Sequence, residues 1–119
     1  MTATPRVLIV EDSELVAGAM QILFESADWQ VSTAGSIASA LGEGHKAPFE
    51  LVLLDLTLPD GDGLLLIEPL KATGSKTFVA LTGRDDPETR ARCLTGGCAD
   101  VLVKPVPVRE LLVKAARWR

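Results

Sequence analysis

Short apolar segments of strand length alternate along the chain with longer segments in which apolar residues recur at helical spacing. The short segments predict β-strands, because their length and apolar content suit a pleated and buried backbone. Leu51–Leu56 is apolar at nearly every position, which indicates a strand buried on both faces of a sheet. The predicted strands, in chain order, are Arg6–Val10, Gln30–Ala34, Leu51–Leu56, Thr77–Thr82 and Val101–Val103.

Each predicted strand is followed by a segment of helix length. In the first of these, Leu15, Ala19, Ile22 and Leu23 recur at helical spacing. In the third, Pro69 predicts a kink or an early end, because proline lacks the N–H that a helix interior needs. Capping residues and glycines set the other bounds. The predicted helices are Ser13–Ala27, a helix capped by Ser36 that runs to about Gly42, Gly63–Ala72, a helix from Asp86-Pro87-Glu88 to Gly96-Gly97, and Val108–Trp118.

This strict alternation of apolar strands and helices predicts a parallel sheet with helices on both faces. Five such units in 119 residues fit a flavodoxin-like (βα)5 doubly wound sheet with strand order 2-1-3-4-5. The length suits one domain, so we expect residues 1–119 to form a single α/β domain.

Charge and composition exclude several classes of protein. The formal net charge is -4 and the basic residues are scattered, so we expect no direct binding to nucleic acid, which needs a basic face. There is no N-terminal signal pattern, and the longest apolar runs are too short to span a bilayer, so we expect no membrane association and a cytoplasmic location. The spacing of Cys93 and Cys98 fits neither a CxxC redox pair nor a zinc pair, which predicts buried free thiols.

Polar residues of particular types end four of the five predicted strands. Glu11 and Asp12 follow the first strand, Asp55 lies near the end of the third, Thr82 ends the fourth, and Lys104 follows the fifth. In an open doubly wound sheet, sites form outside the carboxyl ends of the strands at the switch in strand order. We therefore expect these side chains to converge on one shallow pocket.

The chemistry of this set points to phosphoryl transfer. Three carboxylates at the rim of an apolar sheet repel one another, which predicts a divalent cation, and Mg²⁺ prefers a few carboxylate, water and phosphate oxygens. Lys104 supplies a mobile charge for one phosphoryl oxygen, and the Thr82 hydroxyl can donate a hydrogen bond to a second. The set predicts that Asp55 accepts a phosphoryl group. Taken singly, the Glu11-Asp12 pair fits an ordinary helix N-terminus.

The same residues carry a resemblance to a known family. In order along essentially the whole chain, VLIVEDS, LVLLDLTLPDGDG, VALTG and VLVKP resemble the motifs of receiver domains of two-component response regulators. The resemblance implies that Asp55 is the phosphoacceptor. It also implies that Asp12, Asp55 and the backbone carbonyl of Thr57 ligate Mg²⁺, with Glu11 acting mostly through metal-bound water.

The resemblance further implies a switch and a partner. Thr82 is then the switch hydroxyl, Lys104 contacts the phosphoryl group, and Lys104-Pro105 is a cis peptide. The implied reaction is in-line attack by the Asp55 carboxylate on a phosphohistidine of a histidine kinase or a histidine phosphotransfer protein, and water later hydrolyses the acyl phosphate. Such a domain is not an enzyme, since it promotes only its own phosphorylation and dephosphorylation. The signal then passes to an output domain or a downstream protein.

The sequence departs from the family pattern at the switch. Many receivers have Tyr or Phe three residues before the lysine, where this chain has Val101, and Val106 stands where Phe often follows the Lys-Pro pair. An alternative is therefore a degenerate receiver that binds partners without phosphorylation. Arg84 fits either contact with phosphoryl oxygens or an exposed position. Thr57 lies two residues after Asp55, so the DxD pair of metal-dependent phosphatases is absent from the sequence.

Overall fold

Five parallel strands form the central sheet of the structure, a computed structural model that describes residues 4–119. Every neighbouring pair of strands is parallel, and the strand order is 2-1-3-4-5. The flavodoxin-like fold and the strand order expected from the sequence are therefore confirmed. The strands are β1 (Arg6–Val10), β2 (Gln30–Ala34), β3 (Leu51–Asp55), β4 (Thr77–Thr82) and β5 (Asp100–Val103).

Helices cover both faces of this sheet. Short 3-10 segments precede the third helix, at Gly63–Leu66, and follow the fifth, at Ala116–Trp118. Directly after β3, a two-residue hairpin pairs Thr57–Leu58 with Gly61–Asp62, and we call it the site hairpin. Within residues 4–119, no helix is long and apolar enough to cross a membrane. The helices are α1 (Glu14–Ser26), α2 (Ile37–Lys46), α3 (Ile67–Ala72), α4 (Pro87–Thr95) and α5 (Val108–Ala115).

The core consists of two apolar layers, one on each face of the sheet. Leu51 and Leu53 of β3 belong to the layer that also contains residues of α1 and α5. Val52 and Leu54 belong to the opposite layer, which is completed by α2, α3 and α4. All four side chains are fully buried, which confirms the double burial predicted for this strand. Both faces of β3 are thus fixed by packing, and its end is a rigid place for a functional side chain.

The face that α1 turns to the core differs from the one its apolar spacing suggested. The helix is confirmed, but Leu15 is 85% exposed and Ile22 is 71% exposed. The buried residues of α1 are instead Ala17, Met20 and Phe24. The helix has apolar residues on both sides, and the side that packs against the sheet is the one that carries the large Phe24 ring.

Two helices continue past residues that were expected to end or disturb them. The helix α2 continues past the predicted end near Gly42 to Lys46, and a Cβ added at Gly44 would lie 2.3 Å from Leu70 Cδ2. Glycine there allows α2 and α3 to pack closely, and it does not end the helix. Of the kink or early end expected at Pro69, the early end is wrong, since α3 continues to Ala72, the predicted last residue of the helix. Pro69 lies in the first turn of α3, where a missing N–H costs little.

The other boundaries agree with the sequence to within a few residues. The strand β3 ends at Asp55, one residue earlier than predicted, and β5 begins one residue earlier, at Asp100. The last helix is α-helical to Ala115 and then 3-10. The helix α4 ends at Thr95, and Gly97 has a φ of 114°, a left-handed conformation that favours glycine.

The two cysteines are buried and free, as predicted. Burial raises the pKa of Cys93 and raises that of Cys98 to about 12. Both thiols are therefore neutral near pH 7, whereas reactive cysteines are thiolates at that pH. They act as small apolar residues, Cys93 in α4 and Cys98 in the segment between α4 and β5.

Candidate functional site

Three strand ends bring acidic and basic side chains together at the carboxyl edge of the sheet. Glu11 and Asp12 follow β1, Asp55 is the last residue of β3, and Lys104 follows β5. Carboxylate oxygens of Glu11, Asp12 and Asp55 all lie within 4.8 Å of one another. Lys104 Nζ donates to Glu11 Oε1 at 2.6 Å and to Asp55 Oδ2 at 3.0 Å. The structure therefore brings these four predicted site residues into direct contact or close approach.

The fourth strand end adds a hydroxyl. Thr82 is buried at the end of β4, and the Arg84 N–H donates a hydrogen bond to Thr82 Oγ1 at 3.0 Å. The hydroxyl proton remains available for donation to another acceptor. Thr82 and Asp55 line one cavity of about 610 Å³, with Thr57 and Arg84 also in its wall. A group bonded to Asp55 would have space in this cavity, whose wall includes Thr82.

Burial divides the three carboxylates into two kinds. Glu11 and Asp55 are only 3% and 8% exposed, whereas Asp12 faces solvent. Burial, together with the neighbouring Asp55, raises the pKa of Glu11. Burial acts in the same direction on Asp55, but interactions with Glu11, the Thr57 N–H and Lys104 outweigh it and hold the pKa of Asp55 below its usual range. Asp55 is therefore an ionised carboxylate at neutral pH, the form that a nucleophile needs.

Glu11, Asp12 and Asp55 form an acidic cluster, and Lys104 links two of its three carboxylates. Burial lowers the pKa of its amine, but hydrogen bonds to Glu11 and Asp55 more than compensate, and the pKa is raised. The ammonium group therefore stays charged between two buried carboxylates. Any group bonded to the Asp55 carboxylate lies within its reach. The Lys104-Pro105 peptide is cis, as the resemblance implied.

The site hairpin closes tightly on Asp55. The Thr57 N–H donates to Asp55 Oδ1 at 3.0 Å, which orients the carboxylate. The Gly63 N–H donates to the Leu56 carbonyl at 3.0 Å and returns the chain to the end of β3. A Cβ added at Gly63 would lie 2.0 Å from the Asp55 carbonyl oxygen. The backbone around the carboxylate is thus fixed by a contact that only glycine allows.

This contact predicts that Gly63→Ala is destabilising. The new methyl group must displace the Asp55 backbone, and overpacking of this kind lowers the free energy of unfolding by about 2 kcal/mol. Urea denaturation measures the change. Gly18→Ala is the matched control, because nothing lies within 4 Å of a Cβ at that helical position. We expect Gly18→Ala to raise stability slightly, and equal stability of the two variants would contradict the tight closure.

The acidic cluster fits Mg²⁺ on chemical grounds. Three carboxylates offer hard oxygen ligands within reach of one ion, and the exposed Asp12 leaves space for the waters that Mg²⁺ retains. An ion there would also reduce the repulsion among the carboxylates. The part assigned to the backbone carbonyl of Thr57 stays a prediction, and the side chain of Thr57 is exposed.

Two arginines, Arg84 and Arg92, also line this cavity, and only Arg84 was considered from the sequence. Arg84 is 79% exposed at its side chain and lies 3.9 Å from Asp86, which favours the exposed alternative of the two considered for it. Arg92 lines the same cavity and pairs with Asp62 of the site hairpin. Asp62 and Arg92 are separated by 30 positions in the chain, and no motif or spacing in the sequence indicates that they pair. Sequence reasoning therefore missed this ion pair.

Comparisons with known proteins find a matching family and similar proteins over nearly the whole chain. A family model described as the response regulator receiver domain matches residues 7–116. Transcriptional regulatory protein AruR of Pseudomonas aeruginosa is 36% identical over 120 residues, covering 97% of this chain and 49% of that protein. Swarming motility regulation protein RssB of Serratia marcescens is 37% identical over 116 residues, covering 95% and 53%. The chain spans about half the length of such relatives.

Solved structures show the same architecture. A CheY-like response regulator receiver domain protein from Methanospirillum hungatei has a TM-score of 0.88 at 28% identity, covering 97% of this chain and 93% of that one. The non-phosphorylated HemR receiver domain from Leptospira biflexa has a TM-score of 0.86 at 32% identity, covering 96% and 93%. The likeness extends over nearly the full length of both domains.

Proposed function

We propose that this chain, which belongs to the response regulator receiver domain family, accepts a phosphoryl group on Asp55 with the help of Mg²⁺. One observation carries the proposal: Asp55 is a buried carboxylate in contact with Lys104 at the edge of a cavity that Thr82 also lines. Nucleophile, cation and hydroxyl donor thus surround the place where the phosphoryl group would lie.

The proposed donor is a phosphohistidine of a histidine kinase or a histidine phosphotransfer protein. An Asp55 carboxylate oxygen attacks the phosphorus in line, the new P–O bond forms as the P–N bond breaks, and the imidazole leaves and takes up a proton. Lys104 balances charge on the transferring oxygens, and Thr82 donates a hydrogen bond to one of them. Water later attacks the phosphorus, which releases phosphate and restores the carboxylate.

Mg²⁺ would be held by Asp12, Asp55 and the backbone carbonyl of Thr57, with Glu11 acting through water. The ion would supply positive charge close to the phosphoryl oxygens. The three carboxylates and the solvent-facing Asp12 support this assignment. Lys104 already neutralises part of the negative charge of the cluster through its ion pairs with Glu11 and Asp55.

We further propose that the domain acts on itself and has no external substrate. It would promote only its own phosphorylation and dephosphorylation, as one unit over residues 1–119. The position two residues after Asp55 is Thr57, so a second carboxylate that could serve a phosphatase is not at that place. Arg84 and Thr57 lie in the cavity wall, where they control access of water to the acyl phosphate.

The proposed consequence is a change in binding to an output domain or a downstream protein. Phosphorylation adds about -1.5 to -2 charges at Asp55. Inward movement of Thr82 towards the phosphoryl group would then shift β4 and the helix that follows it. Val101 is 4% exposed and packs in the core, so the switch would proceed without the aromatic residue found in many receivers. Two similar proteins are named as regulators of transcription and swarming, and regulation of this kind supports the proposal.

Beryllofluoride with Mg²⁺ tests the proposal, because BeF₃⁻ mimics a phosphoryl group on a carboxylate. We expect large shifts of the backbone amide signals of Asp55, Thr82, Gly83 and Lys104 in the NMR spectrum. An Asp55→Asn variant should show none of them. An unchanged spectrum of the unmodified protein would favour the degenerate receiver, whose partner binding is indifferent to Asp55→Asn.

A further inference from the structure

We propose that the ion pair between Asp62 and Arg92 positions the site hairpin and couples Mg²⁺ binding at the acidic cluster to the position of α4. This inference rests on the proposed function, since it concerns the regulation of the same site. The pair joins the site hairpin to the helix that follows Thr82. It offers a physical connection between the acceptor and α4 that does not depend on an aromatic residue at Val101.

On the loop side, Asp62 is tied to the site in two ways. It lies opposite Thr57 in the antiparallel pair of the site hairpin, and Thr57 carries both the N–H that orients Asp55 and the proposed ligand carbonyl. Asp62 Oδ1 accepts a hydrogen bond from the Leu64 N–H at 2.9 Å, while Oδ2 accepts from Arg92. One carboxylate thus fixes the turn into the following 3-10 segment and also contacts α4.

On the helix side, α4 has few other anchors. Among its nine residues, only Thr89 and Cys93 are buried in the described structure. Arg92 lies in the last turn and reaches across the cavity rim to the hairpin, and its cavity is the one lined by Asp55 and Thr82. A lightly packed helix is easily shifted, so a single charged contact can change its preferred position.

The exposure of the Arg92 and Asp62 side chains sets the expected size of the coupling between the site hairpin and α4. The side chains of Arg92 and Asp62 are 51% and 38% exposed, so solvent weakens their attraction. Ion pairs of this kind change an equilibrium by about two- to fivefold. By linkage, Mg²⁺ binding that stabilises the site hairpin also favours the position of α4 in which Arg92 contacts Asp62, by the same factor. Equally, that position of α4 favours Mg²⁺ binding.

Positioning and simple electrostatics predict opposite effects of Arg92→Gln on Mg²⁺ binding. If charge alone mattered, Arg92→Gln would remove a cation near the acidic cluster and tighten Mg²⁺ binding, whereas Asp62→Asn would weaken it. If the pair positions the hairpin, both substitutions weaken Mg²⁺ binding. Asparagine keeps the Oδ1 acceptor for the Leu64 N–H, so Asp62→Asn removes the ion pair without removing the turn.

The test is an NMR titration of the full chain with Mg²⁺ alone. We expect Arg92→Gln and Asp62→Asn each to raise the Mg²⁺ Kd about two- to fivefold, and the double variant to bind no more weakly than either single one. Arg90→Gln is the control for loss of one charge from α4, since its guanidinium lies 3.9 Å from Asp85 and not at the hairpin. We also expect Mg²⁺ to slow amide hydrogen exchange in α4 of the unmodified protein but not in Arg92→Gln.

Opposite shifts in the two single variants, or shifts no larger than that of Arg90→Gln, would overturn the coupling. Unchanged exchange in α4 of the unmodified protein would overturn it as well. Failure of the proposed function gives a different result, because beryllofluoride with Mg²⁺ would then leave the amide signals of Asp55 and Thr82 unchanged, whatever the Mg²⁺ Kd of the variants.

Discussion

Replacing Asp55 with asparagine is expected to abolish phosphorylation of the protein by acetyl phosphate and Mg²⁺. The amide has nearly the shape of the carboxylate, so the contacts at the end of β3 are largely kept. It has no ionised oxygen to attack phosphorus, however, and the low pKa that keeps Asp55 ionised is the property that is lost. Separation of phosphorylated from unmodified protein on a phosphate-affinity gel measures the effect.

The control for this substitution is Asp85→Asn, which removes a carboxylate whose side chain is 73% exposed outside the acidic cluster. It should be phosphorylated like the unmodified protein. Full phosphorylation of the Asp55→Asn variant would show that another residue is the acceptor.

The second large effect is expected from Lys104→Met, which keeps the length of the side chain and removes its charge. The ammonium group contacts Asp55 Oδ2 at 3.0 Å and is the cation that the described site itself provides for the transferring group. Loss of one such preorganised donor slows a reaction by about a hundredfold or more. The initial rate of phosphorylation at fixed acetyl phosphate and Mg²⁺ measures the change.

Lys104→Met also leaves Glu11 buried without its partner, so circular dichroism is needed to show that the variant is folded. Lys76→Met serves as the control, because it removes an exposed lysine at the opposite end of β4. A folded Lys104→Met protein that is phosphorylated at the normal rate would contradict the part assigned to this lysine.

The fold was predictable because local and global signals agree. Strand β3 is apolar at every position before Asp55, and the structure buries both of its faces. The candidate site was predictable for a related reason. In a parallel sheet the carboxyl ends of the strands share one edge, so Asp55, Thr82 and Lys104 could be placed together without knowledge of any contact.

What the sequence did not reveal depends on packing between distant segments. Both sides of α1 are apolar, so periodicity could not decide whether Leu15 or Phe24 faces the core. The second helix was expected to end near Gly42, yet it continues through Gly44, where the absence of a side chain allows a close approach to Leu70. The pairing of Asp62 with Arg92 depends on where α4 lies relative to the site hairpin, and spacing along the chain carries no signal for it.

The most direct measurement locates the phosphoryl group. The protein is incubated with Mg²⁺ and acetyl phosphate and then treated with borohydride, which reduces an aspartyl phosphate to homoserine. Peptide mass spectrometry identifies the converted residue. We expect homoserine at position 55, and only when both Mg²⁺ and the phosphodonor are present. Conversion at another residue, conversion without Mg²⁺, or no conversion at all would contradict it.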